Sequence, residues 1–185
     1  MKNLGEIKLI ILDVDGVLTD GTKVYDESHK VLTKGFRCKD FTAIKRFIAS
    51  GINVVMVSGD NFNRSMAEKR NIEFYCSRNS DLSLDKSRYV SLFEEKYNIK
   101  SENIAFVGDD YFDLSIIKTL KYTFCPSDSP NIVKKNSWMT LKSKGGEGVI
   151  VELFDTLLEM DFFNEASEQE VELLDKREVT SQEMK

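Results

Sequence analysis

A short apolar run, Ile7 to Leu12, ends in two aspartates one residue apart and then breaks at a glycine, giving Asp13-Val14-Asp15-Gly16. A buried strand that stops this way sets its carboxylates at the carboxyl edge of a sheet, the edge at which open α/β sheets bind ligands. Side chains alternate along a strand, so Asp13 and Asp15 share one face while Val14 points away. Two acids so close are costly unless a divalent cation lies between them or one is protonated. An aspartate nucleophile assisted by Mg²⁺ and a neighbouring acid/base fits the arrangement. A solvated turn is the ordinary alternative, because Asp and Gly are common turn residues.

The downstream residues decide between these readings. Asn53 to Val57 runs into Ser58-Gly59, where a hydroxyl and an adjacent amide can hold a phosphoryl oxygen. Lys86 opens a helical pattern and offers a compact cation. Ile104 to Val107 leads through Gly108 into Asp109-Asp110, with Asp113 one helical turn on. Singly, each has a bland explanation: a loop, a solvated lysine, a helix cap. Together they supply a nucleophile, a metal site, a phosphate-binding hydroxyl and a neutralising lysine, each placed at a strand end or a helix start.

With these motifs in place, the chain resembles the haloacid dehalogenase superfamily of phosphotransferases. The closer resemblance is to its small phosphatases acting on 3-deoxy-D-manno-octulosonate 8-phosphate (KDO 8-phosphate) and on nonulosonate 9-phosphates. It rests on Asp13 to Gly21, on Lys34-Gly35-Phe36 before Asp40, on Gly108 to Asp113, and on Gly145-Gly146-Glu147-Gly148. It covers residues 5–160.

The resemblance implies a mechanism. Asp13 attacks phosphorus and becomes an aspartyl-phosphate. Asp15 protonates the leaving group and then activates water. Mg²⁺ is held by Asp13, by the backbone carbonyl of Asp15 and by Asp109. Ser58, Gly59 and Lys86 bind the phosphoryl group, Asp110 orients Lys86, and Asp113 braces the metal shell. Lys34, Asp40, Asp60 and Arg64 are candidates for contact with substrate.

The chain departs from its relatives at Asp60 and Glu147, where that subfamily usually carries arginine. Each change puts an anion where a cation would receive an acidic sugar, and a direct like-charge contact costs affinity. Arg64, about one helical turn further on, is one source of the lost charge; the alternative is a substrate without the carboxylate, or one carrying an amine. Asp60→Arg is then expected to favour 2-keto acid sugar phosphates.

Alternating patterns predict strands at 8–12, 53–57, 72–75, 104–107 and 122–124, and helices at 41–50, 63–70, 86–97, 111–120 and 148–160. The expected fold is α/β, a doubly wound parallel sheet. Thr22 to Phe36 reads as a β-hairpin flap. The gaps between motifs leave no room for a cap domain, so the resemblance implies that neighbouring subunits of a homotetramer cover the site.

The phosphatase domain is expected to span 1–160, with an acidic tail at 161–185 read as disordered. That tail holds eight acids and three bases, which is the whole formal net charge of −5. The remaining charge is balanced, without the basic stripe of a nucleic-acid binder. No apolar run approaches the roughly 18–20 residues of a membrane span, and no signal-peptide pattern is present. The three scattered cysteines read as reduced thiols of a cytoplasmic protein. The lone His29 reads as solvated. The expected activity is hydrolysis of a small phosphorylated sugar. A phosphatase of macromolecules and a non-catalytic regulatory domain of a sugar nucleotidyltransferase system are the alternatives.

Overall fold

The computed structural model describes residues 6–78 and 85–183, with side chains described as far as residue 176. The elements run in the order β1 (Leu9–Leu12), β2 (Val24–Tyr25), β3 (Val31–Thr33), α1 (Cys38–Ala49), β4 (Asn53–Ser58), α2 (Arg64–Glu68), β5 (Glu73–Cys76), α3 (Arg88–Tyr97), β6 (Ile104–Val107), α4 (Leu114–Thr119), β7 (Tyr122–Cys125), α5 (Asn131–Asn136), β8 (Met139–Thr140), α6 (Val149–Glu159) and α7 (Glu168–Glu183). Six strands form one sheet in the order β5-β4-β1-β6-β7-β8, every pair parallel.

The period-two alternation sorts the sheet's side chains between two cores. Ile10, Leu12, Val54, Met56, Ala105 and Val107 face one core, packed with Phe47 of α1 and Leu153 of α6. Leu9, Ile11, Val55, Val57, Ile104 and Phe106 face the other, under Phe93 of α3 and Ile116 of α4. A strand buried on both faces reads as a continuous apolar run, and β1, β6 and β7 are buried throughout. After β1 the chain builds outward on one side through β4 and β5, then returns to the other side of β1 as β6. That reversal opens a crevice at the carboxyl ends of β1 and β6.

The hairpin flap is present as β2 paired antiparallel with β3. Its turn is held by Asp26, whose carboxylate accepts from the Ser28 and Lys30 amides at 2.9 Å each. His29 is exposed there with φ 60°, a left-handed position that the turn requires.

The tail corrects the sequence reading. Phe162 is buried and meets the Tyr122 ring edge-on at 4.8 Å, so the core continues past residue 160. The following residues form α7, which lies against α1 instead of being disordered. Arg46 of α1 binds Glu165 at 2.5 Å and Glu168 at 2.8 Å, and Lys45 pairs with Asp175. These cations of α1 offset the charge that a tail without apolar periodicity could not bury. The last two residues of the tail lie outside the described residues.

Candidate active site

Asp13 extends the β1 ladder by one residue, its amide donating to the Val107 carbonyl at 2.9 Å. The chain then turns sharply. The Val14 carbonyl accepts from the Leu18 amide at 2.9 Å, and the buried Thr19 hydroxyl accepts from Gly16 and Gly21. Gly16 has φ 87°, and a methyl group added there would stand 2.0 Å from the Asp109 carboxylate. A side chain at this position would therefore occupy the space between the first and last acidic motifs. Gly145 makes a comparable approach from the late glycine segment, where a methyl group would meet the Gly16 carbonyl at 2.2 Å. The late glycines thus brace the turn that carries Asp13 and Asp15.

Asp13, Ser58, Lys86, Asp109 and Asp110 line one pocket of about 290 Å³ at the carboxyl edge of the sheet. Lys86 is buried, with its ammonium 3.1 Å from Asp13 and 2.6 Å from Asp113. Burial works against its charge, but the two carboxylates outweigh burial and hold it far above the ordinary lysine range. The other oxygen of Asp113 accepts from the amides of Asp109 and Asp110 at 2.9 and 3.1 Å. Asp113 therefore fixes both the lysine and the acidic loop. Contrary to the expectation from sequence that Asp110 orients Lys86, Asp110 does not reach it; its carboxylate accepts from the Tyr111 amide at 2.6 Å and caps the turn Tyr111–Asp113.

Asp13, Asp109 and Asp113 each bring a carboxylate oxygen within 4.8 Å of the others. Burial, opposed by Lys86 and reinforced by Asp113, pushes the Asp13 carboxyl up to about 7. Burial and the neighbouring Asp13 push Asp109 up to about 8. One Asp109 oxygen is buried without a partner. An orphaned oxygen among crowded acids fits a hard divalent cation, and an all-oxygen donor set suits Mg²⁺.

The Asp15 carboxylate takes no part in this cluster. It turns towards the flap, where the wholly buried Lys34 ammonium donates to its two oxygens at 2.6 and 2.9 Å. Lys34 also donates to Asp60 at 2.9 Å and to Asn63 Oδ1 at 3.0 Å. Asn63 in turn donates to Asp15 at 3.2 Å and to Ser58 Oγ at 3.1 Å. Ser58 Oγ accepts a second bond from the Asp60 amide at 3.2 Å, which leaves the hydroxyl proton for an incoming acceptor.

The four substrate candidates separate. Lys34 and Asp60 belong to this network, and Lys23 joins it at 2.8 Å from Asp60. Burial raises the Asp60 carboxyl, but hydrogen bonds from Lys23 and Lys34 outweigh it and hold the group well below the usual carboxylate range. Its charge is thus balanced within the protein. Asp40 is placed elsewhere. It is buried and accepts from the Ile150 and Val151 amides at 2.9 and 3.2 Å, capping α6 from another helix. Arg64 also faces away, bound to Asn61 at 2.9 Å and lying over the Phe74 ring at 5.0 Å. Sequence reasoning missed Lys23, Asn63 and Thr19. Only Thr19 carried a signal, its place inside the Asp13–Gly21 motif.

Comparison with known proteins follows the same lines. Residues 80–153 match the family model of haloacid dehalogenase-like hydrolases. The 3-deoxy-D-manno-octulosonate 8-phosphate phosphatase KdsC of Haemophilus influenzae is 30% identical over 161 residues, 85% of this chain and 86% of that protein. The cobalt-bound structure of the Haemophilus phosphatase superposes with a TM-score of 0.76 at 30% identity, covering 85% of this chain and 91% of the other. The corresponding phosphatase from Yersinia pestis gives 0.76 at 25% identity, covering 87% and 86%. A parallel α/β sheet with an edge-sited aspartate cluster defines the class, a haloacid dehalogenase-like hydrolase. Within it, the chain belongs to the 3-deoxy-D-manno-octulosonate 8-phosphate phosphatase family.

Proposed function

We propose that this chain is a Mg²⁺-dependent phosphomonoesterase that hydrolyses KDO 8-phosphate or a closely similar acidic sugar phosphate through an aspartyl-phosphate on Asp13. One observation carries the reading. Asp13 joins the metal-binding cluster, contacts Lys86 and lines the pocket together with the Ser58 hydroxyl, whereas Asp113, which also touches Lys86, is wholly buried and does not line that pocket. Its oxygen forms the bond to phosphorus as the sugar oxygen departs.

Lys86 and the Ser58 proton hold the phosphoryl oxygens and offset the charge they gather, the main service a protein gives in phosphoryl transfer. Asp15, oriented by Lys34 and Asn63, hands its proton to the leaving oxygen and later takes one from the hydrolytic water. Such positioned acid–base help is worth about 10²–10⁴ in rate. Asp13 and Asp109, with the backbone carbonyl of Asp15, would hold the ion, which would supply positive charge to the phosphoryl oxygens, while Asp113, whose two oxygens serve Lys86 and the loop amides, braces them. The Haemophilus relative is known in a cobalt-bound form.

The apolar side chains Val24, Tyr25 and Leu32 of the flap are about half exposed in the single chain. A homotetramer in which flaps cover neighbouring sites accounts for that exposure and for the absence of a cap. The direct test is phosphate release from KDO 8-phosphate with Mg²⁺, comparing wild type with Asp13→Asn. Turnover should vanish in the variant; equal rates would remove the covalent mechanism.

A further inference from the structure

Every lysine lining the catalytic pocket or its network has an acidic partner. Lys23 is bound to Asp60, Lys34 to Asp15 and Asp60, and Lys86 to Asp13 and Asp113. Arg78 lines the same pocket and is exposed, yet among the described residues it has neither a hydrogen-bond partner nor an ion-pair partner. Its backbone position is nevertheless set. The amide of the preceding Ser77 donates to the Ser58 carbonyl at 3.0 Å, carrying the β4–β5 pairing one step beyond the strand. The arginine side chain then lies along Gly59, where an added methyl group would stand 3.1 Å from Nε and 3.6 Å from Cδ and Cγ.

Gly59 follows the serine whose hydroxyl is free to donate into the pocket. Arg78 lines the pocket beside it, and the planar fork of a guanidinium matches two oxyanion oxygens at once. Asp60, although adjacent in sequence, does not neutralise it, because both lysines already claim that carboxylate.

Resting on the phosphatase reading above, we propose that Arg78 is a further phosphoryl-binding residue. Its guanidinium grips non-bridging oxygens of the substrate phosphate from the end of β5, while Lys86 serves them from beside Asp113. It does so without a rearrangement of existing ion pairs. The absence of any side chain at Gly59 is what lets the arginine lie alongside. Arg64, the sequence candidate for meeting a sugar carboxylate, is committed elsewhere, to Asn61, Glu68 and Phe74.

The test uses inorganic phosphate as the probe. Its affinity for the Mg²⁺-loaded full chain is measured by calorimetry for wild type, Arg78→Gln and Arg78→Lys, beside turnover of KDO 8-phosphate and of p-nitrophenyl phosphate. Arg78→Gln should weaken phosphate binding about ten- to a hundredfold, as expected for losing charge-assisted hydrogen bonds. Arg78→Lys should recover part of it, and KM should rise for both substrates. Because Arg78 contacts so little, melting temperatures should stay together. Equal phosphate affinity in wild type and Arg78→Gln, with wild-type turnover intact, would overturn this role and leave the phosphatase assignment standing. A loss confined to KDO 8-phosphate would overturn it too, placing the guanidinium on the sugar acid. A wild type that neither binds phosphate nor turns over either substrate would overturn both.

Discussion

Lys34 Nζ lies 2.6 Å from Asp15 Oδ1, and the lysine side chain is wholly buried. The flap is therefore wired to the residue proposed to give and take the proton in catalysis. Removing one partner of a buried pair costs more than the pair contributes, because the remaining charges stay behind. Lys34→Met leaves Asp15 and Asp60 facing each other with only Lys23 between them. We expect a loss near the low end of about 3–5 kcal/mol, read by urea denaturation, and a fall in kcat approaching the full acid–base contribution. A variant with unchanged kcat would show that Asp15 needs no orientation from the flap.

Asp60→Arg has opposite expected outcomes from sequence and from structure. The sequence suggests a gain on 2-keto acid sugar phosphates. The structure shows that Asp60 is the counter-ion of Lys23 and Lys34, so arginine there would gather three cations around Asp15. Reduced turnover on acidic and neutral sugar phosphates alike is the expected result of a substrate panel. A selective gain on acidic sugars would restore the earlier reading.

The acidic cluster predicts a pH-dependent metal affinity. Asp13 is pushed up to about 7 and Asp109 to about 8, so the metal-free fold holds protons that the unfolded chain has released. For acids raised in this way, metal-free stability falls as pH rises from about 4 towards 8. A divalent cation must displace those protons, so its binding strengthens over the upper part of the same range. Thermal shift on adding Mg²⁺ should be larger at pH 8.5 than at pH 6. A shift independent of pH would mean that both acids are already ionised without metal.

Asp13→Asn should separate catalysis from stability. Turnover is lost, while a buried carboxylate that resists ionisation is replaced by a neutral group. At pH 8 without metal, the variant should gain about 1 kcal/mol or more, roughly 3 °C in melting temperature for a chain of this length. A lower melting temperature would show that Asp13 matters more as the partner of Lys86.

Two truncations test where the folded unit ends. Stopping after residue 160 removes Phe162 from its contact with Tyr122, at about 3–5 kcal/mol for loss of a buried aromatic. Stopping after residue 164 removes mainly the surface ion pairs of Arg46 and Lys45, and exposed pairs are worth under about 1 kcal/mol each. Equal destabilisation by the two truncations would place the anchor in α7 instead.

The parallel sheet was readable because its central strands are buried on both sides and spell it out as apolar runs ending in acids, hydroxyls or glycine. The positions of Asp13, Ser58 and Asp109 followed from those endings, and that of Lys86 from the start of a helical pattern. Short elements escaped: α5 and β8 have too few residues to display a period, and α7 owes its place to ion pairs with Arg46 and Lys45 instead of an apolar stripe. Partnerships also escaped. That Asp113 and not Asp110 holds Lys86, and that Asp60 is balanced by Lys23 and Lys34, depends on side-chain directions in three dimensions. Asn63, which ties Ser58 to Asp15, looks in sequence like any asparagine of a turn.

The packing of Gly145 against the Gly16 carbonyl ties the two ends of a long stretch of synthesis together. The Gly146 amide adds a hydrogen bond to the Val17 carbonyl at 2.9 Å. The loop bearing Asp13 leaves the ribosome well before the segment that braces it. At translation rates of about 5–20 residues per second, the nascent chain carries its reactive aspartates for several seconds without the support that shapes them. Competence therefore arrives late and all at once, and fragments released early hold the acids without a finished active site.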